Sequence, residues 1–370
     1  MTGARPDTET GTGAGTGTGT DEVAVPHRPA IPGLRFRHFR GAADYPGMAA
    51  ANQATRDDAG IQEVITVESI ANRYDHLVNS DPDEDILIVE RDGRIVAYAR
   101  VEWRDLTDGT RSFVTLCLLH PSERRQGVGR AMLGWSEARL AAKAANLPDN
   151  RDVPSRMQAF TFGGETGSIA LLEGAGWVRD GHGYEMVRAT LEDIPQVPLP
   201  VGLDVRTIGT DEASRGQVWD ALIEAFRDHR AEPERTDEDR AEFLADPIHD
   251  PSLWIVAFDG TEVAGGVLGT INPEENRHHG RDRGIVGAVF TRRPWRRRGL
   301  ARALIARSLE TLHDRGMTSA YLGVDGENPN QAMTLYHSLG FEIESTSIDW
   351  TKPLPNQPPP DGARKEGMTR

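Results

Sequence analysis

The stretch IVGAVFTRRPWRRRGLARALI, residues 285–305, predicts a hydrophobic strand, then a turn of small residues, then an amphipathic helix. A second stretch of the same design, FVTLCLLHPSERRQGVGRAML, covers residues 113–133. The two turns read Arg296-x-x-Gly299-x-Ala301 and Arg124-x-x-Gly127-x-Gly129. A turn of this kind presents backbone N–H groups at the positive end of a helix, where a diphosphate binds well. The repetition predicts two copies of one cofactor-binding unit.

Small residues suit these turns because the backbone must approach the phosphates closely, and a larger side chain would stand in the way. The arginines on either side add positive charge for the phosphate oxygens. A single glycine-rich turn before a helix is weak evidence for a phosphate site. Here the long preceding strand, the arginines and the duplication agree, which favours a binding turn over a purely structural one.

Composition limits the classes of protein that fit. A chain of 370 residues with 38% hydrophobic and 27% charged residues is long enough for two globular domains. The net charge of −15 argues against nucleic acid or an anionic membrane as the main partner. The single cysteine, Cys117, precludes an internal disulfide and is interpreted as a packing residue. Neither a secretory signal pattern nor an apolar run of about 20 residues is visible, so we expect no membrane span and a cytoplasmic location.

The chain divides into two tails, two domains and a linker. The pattern predicts a disordered Gly/Thr/Pro-rich tail at 1–32, an N-terminal domain at 33–190, a proline-rich linker at 191–202, a C-terminal domain at 203–352 and a second disordered tail at 353–370. Both domains repeat the order β-α-α-β-β-β-α-β-α-β-β. Asp92-Gly93 and Asp259-Gly260 predict hairpin turns, and the segments 177–188 and 341–352 are interpreted as closing strand pairs.

The two copies resemble the GCN5-related N-acetyltransferase (GNAT) superfamily, whose hallmark is the turn just described. The second copy adds Asn328 and the segment LYHSLGF, residues 335–341, which is similar to a further segment of that family. The resemblance implies an α/β fold with a mixed sheet. It also implies two tandem GNAT domains, each a mostly antiparallel sheet of six to seven strands flanked by helices.

By the same resemblance, acetyl-CoA is the acyl donor, with its diphosphate over the turn and its pantetheine arm beside the preceding strand. Asn328 either contacts the coenzyme or caps the following helix. The cofactor-binding residues expected in the second copy are Val289, Phe290, Thr291, Arg296, Arg297, Arg298, Gly299, Leu300, Ala301, Arg302 and Asn328. In the first copy they are Cys117, Leu118, Leu119, Arg124, Arg125, Gln126, Gly127, Val128, Gly129 and Arg130.

The resemblance assigns Tyr336 as the catalytic acid that donates a proton to the departing thiolate, since a phenol stays protonated at neutral pH. The alternative is a packing role beneath the Gly340-Phe341 turn. The first copy has Leu172 where Tyr336 stands and Gly164 where Asn328 stands. Leucine cannot donate a proton, so we expect the second copy to be catalytic. The first copy is then structural or regulatory, or it supplies one wall of the acceptor site.

The general base is not identified by the sequence. Candidates are Asp325 and Glu327 after the fifth strand of the second copy, and His278 and His279 before its fourth strand. The spacing of the two histidines is not that of a usual tetrahedral metal site, and we predict no metal.

The predicted reaction is acetylation of a primary amine on a small-molecule acceptor. Two fused copies with a complete second one are similar to the mycothiol synthase group, which acetylates a cysteinyl-glucosaminyl-inositol. That group carries a glutamate where this chain has Ile285, which favours a related enzyme with another acceptor. A non-catalytic acyl-CoA-binding module and an enzyme for longer acyl groups remain as alternatives. The sequence predicts neither the acceptor nor the oligomeric state.

Overall fold

The computed structural model describes residues 21–147, 153–227, 232–326 and 332–355. We call residues 33–190 the first half and residues 203–352 the second half. The elements of the first half are β1 (Leu34–His38), α1 (Tyr45–Ala59), α2 (Val67–Asp75), β2 (Ile86–Arg91), β3 (Arg94–Asp105), β4 (Arg111–Leu119), α3 (Val128–Asn146), β5 (Ser155–Phe162), α4 (Thr166–Gly174) and β6 (Val178–Arg188).

The second half repeats this order with one additional helix. Its elements are β7 (Asp204–Arg206), α5 (Glu212–Phe226), α6 (Asp237–Ala245), β8 (Trp254–Asp259), β9 (Glu262–Ile271), α7 (Pro273–His279), β10 (Arg283–Thr291), α8 (Leu300–Asp314), β11 (Ser319–Asp325), α9 (Ala332–His337) and β12 (Glu342–Pro353). None of the described helices is both long and apolar enough to cross a membrane.

The predicted hairpin at Asp92-Gly93 is confirmed. Asp92 and Gly93 join β2 to β3 with φ angles of 51° and 80°, the left-handed conformation that a two-residue turn needs at both central positions. The second predicted hairpin also joins β8 to β9, but its turn is shifted by one residue from the predicted Asp259-Gly260. Asp259 pairs with Glu262 as the last residue of β8, so Gly260 and Thr261 form the turn.

The twelve strands form one mixed sheet in the order β1-β2-β3-β4-β5-β12-β6-β11-β10-β9-β8-β7. Two neighbouring pairs are parallel. The β4–β5 ladder ends at Val114↔Gln158 and the β10–β11 ladder ends at Ile285↔Tyr321. Beyond these positions the strands of each pair separate, which opens a gap in the sheet of each half.

The last strand of each half lies beside the other half. Strand β12 pairs with β5 from Ser347↔Phe162 to Pro353↔Arg156, and β6 pairs with β11 from Ala320↔Arg188 to Asp325↔Gly183. Strands β6 and β12 also pair with each other. The predicted closing strand pair within each half is therefore wrong, because each segment forms one long strand whose backbone groups bond to the opposite half on one edge.

The helices lie in two layers. Helix α3 packs in the core of the first half, which we call the first core and which includes Ile348 of β12. Helix α8 packs in the core of the second half, the second core, which includes Met186 of β6. The register Ile348↔His182 and the two-residue period of strands put Ile348, His182 and Met186 on one face of the sheet. The helices α3 and α8 thus share that face, and the remaining cores, with α1, α2, α5 and α6, cover the opposite one.

Parts of the segments that were expected to be tails or linker pack against the sheet and helices. The Val23 N–H donates to the Phe36 carbonyl at 2.8 Å, and Val23, Val25 and Ile31 pack against the first core. Disorder was expected up to residue 32, but 21–32 lie along β1 and α3 because these apolar residues find a surface there. Leu354, in the expected C-terminal tail, is buried as well. Residues 1–20 and 356–370 lie outside the described ranges.

Candidate functional site

The turn after β4 and the turn after β10 have the same unusual backbone. Arg125 and Arg297 adopt φ angles of 61° and 58°, and Gly127 and Gly299 adopt 90° and 82°. A left-handed conformation costs a residue with a side chain about 1 kcal/mol or more. Its repetition at equivalent arginines favours a functional reason for the strain, because left-handed residues in such a turn are typical of anion-binding nests. Residue types alone do not indicate that the arginines adopt this conformation.

The first half contains a cavity of about 720 Å³, which we call the first cavity. It lies between α3, α4 and the separated ends of β4 and β5. Of the predicted coenzyme residues, those on its wall are Cys117, Leu119, Arg124, Arg125, Gly127, Gly129 and Arg130. Three others do not line it: Leu118 faces the α1–α2 core, Val128 is buried in the first core, and Gln126 donates to the Ser122 carbonyl.

The second half contains an equivalent cavity of about 390 Å³, the second cavity. The predicted residues on its wall are Val289, Phe290, Thr291, Arg296, Arg297, Gly299, Leu300, Ala301, Arg302 and Tyr336. Arg298 is not on the wall and donates instead to the Val201 carbonyl at 3.1 Å. Asn328 lies outside the described residues. The structure therefore brings the turn, the strand end and the candidate acid together, while coenzyme binding itself stays a prediction.

The arginines of the second turn divide into two kinds. The Arg296 guanidinium donates to the Thr291 and Ala225 carbonyls, both at 2.9 Å, and so holds the strand end against α5. Arg297 and Arg302 are exposed at the cavity wall and make no side-chain hydrogen bond within the described ranges. Their charge is available for phosphate oxygens.

The first turn has the same division. Arg124 pairs with Asp58, while Arg125 and Arg130 are exposed on the wall of the first cavity, without a side-chain hydrogen bond in the described parts of the chain. In each turn the first arginine, Arg124 or Arg296, makes structural contacts within the protein. The other two arginines of each set remain for the ligand: Arg125 and Arg130 in the first half, Arg297 and Arg302 in the second.

Tyr336 combines a packed ring with a polar atom at the second cavity. The residue is 7% exposed, and its ring meets that of Phe341 edge-on at a centroid distance of 6.1 Å. Burial raises the pKa of Tyr336 to about 12. The hydroxyl has no hydrogen-bond partner among the described residues. The ring packs against Phe341, next to Gly340, and the residue also lines the cavity, while the catalytic role stays a prediction. At the equivalent place in the first cavity lies Leu172.

The first cavity contains a carboxyl group that sequence reasoning missed. Glu165 is 9% exposed, and its Oε2 accepts a hydrogen bond from the Phe162 N–H at 2.8 Å. Burial raises the pKa of Glu165 above its ordinary value. The only sequence signal for Glu165 is its place between β5 and α4. That signal is weak, because a glutamate at the start of a helix is common.

The candidate bases lie apart from one another. His278 Nε2 is 3.5 Å from Asp57 Oδ1, and His279 Nε2 is 2.9 Å from the Gln62 carbonyl oxygen. The histidines were expected near the second-half cleft, but they face the first half and do not line the second cavity. Glu327 lies outside the described residues. Asp325 ends β11 on the opposite face of the sheet from Leu322 and the second core.

Asp325 lines a third space of about 440 Å³, which we call the central cleft. Both halves form it: its floor includes Ser112 of β4, Arg156 of β5, Asp180 of β6 and Asp349 of β12. Its roof is the segment 232–235 of the second half, where the Glu234 N–H donates to the Asp105 carbonyl at 2.8 Å. Asp325 lies beside the gap between β10 and β11, and the end of β10 on the other side of that gap lines the second cavity.

Comparison with known proteins fits this geometry. The sequence profile described as Acetyltransferase (GNAT) family matches residues 52–152 and 217–341, which together exceed half of the chain. The chain belongs to the GNAT acetyltransferase family. Acetyl transfer is therefore the chemistry of its family, and GNAT enzymes generally use acetyl-CoA as the donor.

Two curated GNAT relatives are mycothiol acetyltransferases. That of Geodermatophilus obscurus is 30% identical over 285 residues, covering 72% of this chain and 82% of the relative. That of Thermomonospora curvata is 28% identical over 314 residues, covering 81% and 96%. The chain is thus similar over most of its length to proteins of the group that the motifs resemble.

Solved structures support the tandem GNAT fold. A GCN5-related N-acetyltransferase from Sphaerobacter thermophilus matches with a TM-score of 0.62 and 24% identity, covering 87% of this chain and 96% of that one. A tandem GNAT protein from the clavulanic acid biosynthesis pathway matches with a TM-score of 0.59 and 18% identity, covering 88% and 100%. At these identities the likeness concerns the fold alone.

Proposed function

We propose that the protein transfers an acetyl group from acetyl-CoA to a primary amine of a small-molecule acceptor, and that the second half carries out the reaction. The observation that supports this division is the wall of the second cavity. The phosphate turn, the end of β10 and Tyr336 border one space there, whereas the first cavity has Leu172 in place of the tyrosine.

Each part of the second cavity has a role in this proposal. The backbone N–H groups of residues 297–302, with Arg297 and Arg302, hold the diphosphate. The end of β10, Val289–Thr291, binds the pantetheine arm. Bound acetyl-CoA supplies a thioester whose carbonyl carbon is attacked by the neutral amine. A C–N bond forms, the C–S bond breaks, the amine loses one proton and the coenzyme thiol gains one.

The pKa of Tyr336 defines what its hydroxyl does. At about 12, this pKa exceeds that of an ordinary thiol, about 8.5, by more than three units. Complete proton transfer from the phenol to the thiolate is thus uphill by about 5 kcal/mol. Tyr336 therefore acts by donating a hydrogen bond that stabilises the developing thiolate, and the proton that balances the reaction comes from the amine.

The acceptor reaches the thioester from the central cleft in this proposal. Asp325 of the cleft and the end of β10, which lines the second cavity, stand on the two sides of the gap that opens after Ile285↔Tyr321. Asp325 stands at the cleft side of this gap, where its carboxylate attracts a cationic amine.

A second candidate is the mycothiol acetyltransferase reaction itself, favoured by relatives at 28% to 30% identity. Ile285 lies on β10 at the last paired position before the gap. An isoleucine there provides no carboxylate for the amine, which supports a different acceptor.

The test is release of coenzyme thiol from acetyl-CoA with a panel of amines, including the mycothiol precursor. Tyr336→Phe should lower kcat about 10²-fold with little change in the KM for acetyl-CoA, because one transition-state hydrogen bond is lost. Unchanged release would exclude Tyr336 from the reaction. Absence of release with every amine, with acetyl-CoA still bound, would favour a non-catalytic binding module.

A matched pair of variants tests which half is active. Gly299→Glu and Gly127→Glu place the same negative charge and the same left-handed strain in the two turns. Gly299→Glu should abolish turnover, while Gly127→Glu should remove coenzyme binding from the first cavity and leave turnover in place. The opposite result in folded protein would assign catalysis to the first half.

A further inference from the structure

The central cleft contains a buried arginine that the reaction so far described does not use. Arg156 of β5 is 8% exposed, and its Nε is buried without a hydrogen-bond partner. Its guanidinium donates no hydrogen bond within the described ranges. Its one ion pair there joins Nε to Asp180 Oδ2 at 3.9 Å, which is too long for a hydrogen bond.

The neighbouring arginines are paired, so Arg156 differs from its surroundings. Arg104 donates to both carboxylate oxygens of Asp239 at 2.8 and 2.9 Å. Arg111 donates to Asp105 at 2.6 and 3.1 Å. Burial of the Arg156 Nε costs free energy, because this atom has lost water and gained no acceptor. The five fixed N–H donors of the guanidinium fit a carboxylate, which accepts two parallel hydrogen bonds.

A second donor lies next to Arg156. Gln158 is two residues along β5 on the same face, and its Oε1 accepts a hydrogen bond from the Ser112 hydroxyl. The amide nitrogen of Gln158 is left without a partner in the described part of the chain. Arg156 and Gln158 both line the cleft, so two sets of unpaired donors border the same end of it.

The position of Arg156 is remote from the gap between β10 and β11. Asp325 is level with Gly183, Ser347 and Phe162 across the sheet, and Arg156 lies six residues before Phe162 on β5, three strands away from β11. Their Cα atoms are thus on the order of 20 Å apart at usual strand spacings. A ligand that reaches both ends must be longer than a single amino acid.

We propose that Arg156, on the first half, binds a carboxylate at the far end of the acceptor while the amine is acetylated at the second half. The acceptor class is then a primary amine joined by an extended spacer to a terminal carboxylate, the size of a short peptide. This inference rests on the proposed function, since it names the acceptor of the same site. It explains why a buried arginine has no hydrogen-bond acceptor among the described residues and why both halves form one cleft.

The test uses oligoglycines of three to five residues, each as the free acid and as the C-terminal amide, with the whole protein. The free acids of suitable length should be acetylated with a kcat/KM about 10- to 100-fold above that of their amides, as expected for one charged hydrogen-bonded pair. Arg156→Met should abolish this preference by raising the KM for the acids, while kcat/KM for the amides stays within about 3-fold.

The control variant is Arg179→Met, which removes the same charge from neighbouring β6. Arg179 is exposed, pairs with Glu173 at 2.9 Å and does not line the cleft. It should leave the preference for free acids unchanged. Arg156→Met should also melt close to the native protein, because the one ion pair it removes is long, at 3.9 Å, and the Asp180 side chain is 35% exposed and stays hydrated.

Three results would overturn the inference: equal rates with acids and amides, a preference that survives Arg156→Met, or a variant that melts lower and loses both substrates equally. If no oligoglycine or other amine is acetylated, the proposed function fails separately. In that case, calorimetry with pentaglycine tests carboxylate binding by Arg156 independently of any acetylation. Binding to native protein that Arg156→Met removes supports it, and equal or absent binding contradicts it.

Discussion

Tyr336 is the residue whose ionisation determines the alkaline limit of the proposed reaction. Its neutral phenol is the form that donates a hydrogen bond, and burial raises its pKa to about 12. The acceptor amine must be neutral to attack, so kcat/KM should rise with pH as the amine deprotonates. Because the phenol keeps its proton below its raised pKa, no fall should follow up to about pH 10.5. A pH profile that declines with an apparent pKa near 10 would contradict this role.

Gly340 shows how the first half supports the turn below Tyr336. It adopts a φ of 82°, and an added Cβ would lie 2.2 Å from Nη1 of Arg188, the β6 arginine that donates to the Leu339 carbonyl. Gly340→Ala should therefore lower the free energy of unfolding by about 2–3 kcal/mol, through left-handed strain and this clash together. It should also lower kcat, since α9 carries Tyr336.

The control for Gly340→Ala is Gly316→Ala. Gly316 has nearly the same φ, 86°, but no atom within 4 Å of an added Cβ. Urea denaturation should show a loss of only about 1 kcal/mol, due to the backbone strain alone. If both variants lost the same free energy of unfolding, the contact between the added Cβ and Arg188 would cost nothing, contrary to this prediction.

Strand β12 is the element that joins the second half to the first core. Its Trp350 is fully buried there and donates from Nε1 to the Thr161 hydroxyl at 2.8 Å. Trp350→Ala should lower the free energy of unfolding by about 3–5 kcal/mol, as expected for a large core residue. Ile343→Ala, on the same strand but 45% exposed, should cost less than about 1 kcal/mol in the same urea titration. Similar losses of unfolding free energy in the two variants would argue against the packing of β12 in the first core.

The local elements could be predicted from the sequence, while the exchange of strands could not. Asp92-Gly93, Gly127 and Gly299 mark their turns through residue types that favour left-handed backbone. Asp180-Gly181 has the same composition as a hairpin turn, yet it continues β6 because Gly181 pairs with Asp349 of the other half. Strand partners so far apart in sequence leave no local signal.

The candidate site was predictable to a similar extent. The turn residues and Tyr336 follow from motifs, and most of them line the cavities; Gln126, Val128 and Arg298 do not, and the binding roles stay predictions. Three features depend on how distant segments pack: the buried Arg156 Nε without a hydrogen bond, the buried Glu165, and the left-handed Arg125 and Arg297. Nothing in the spacing of residues indicates them.

The whole molecule should unfold in one step, although it contains two repeats. Strands β6 and β12 pair with each other and with one strand of the opposite half, so neither half has a complete sheet without the other. Circular dichroism and amide hydrogen exchange in both halves should therefore report one common urea midpoint. Two transitions, with one half protected after the other has lost its protection, would contradict this expectation.

The place of β12 in the sheet also has a consequence for synthesis on the ribosome. Residues 342–353 fill the space between β5 and β6, so both of these strands keep an open edge until nearly the whole chain has been translated. At typical elongation rates, the roughly 160 residues between the end of β6 and the end of β12 take on the order of 10 s or more. During that time the nascent chain presents unpaired strand edges, which are the usual starting points of aggregation. We therefore expect its yield in cells to depend on chaperones that bind the emerging chain.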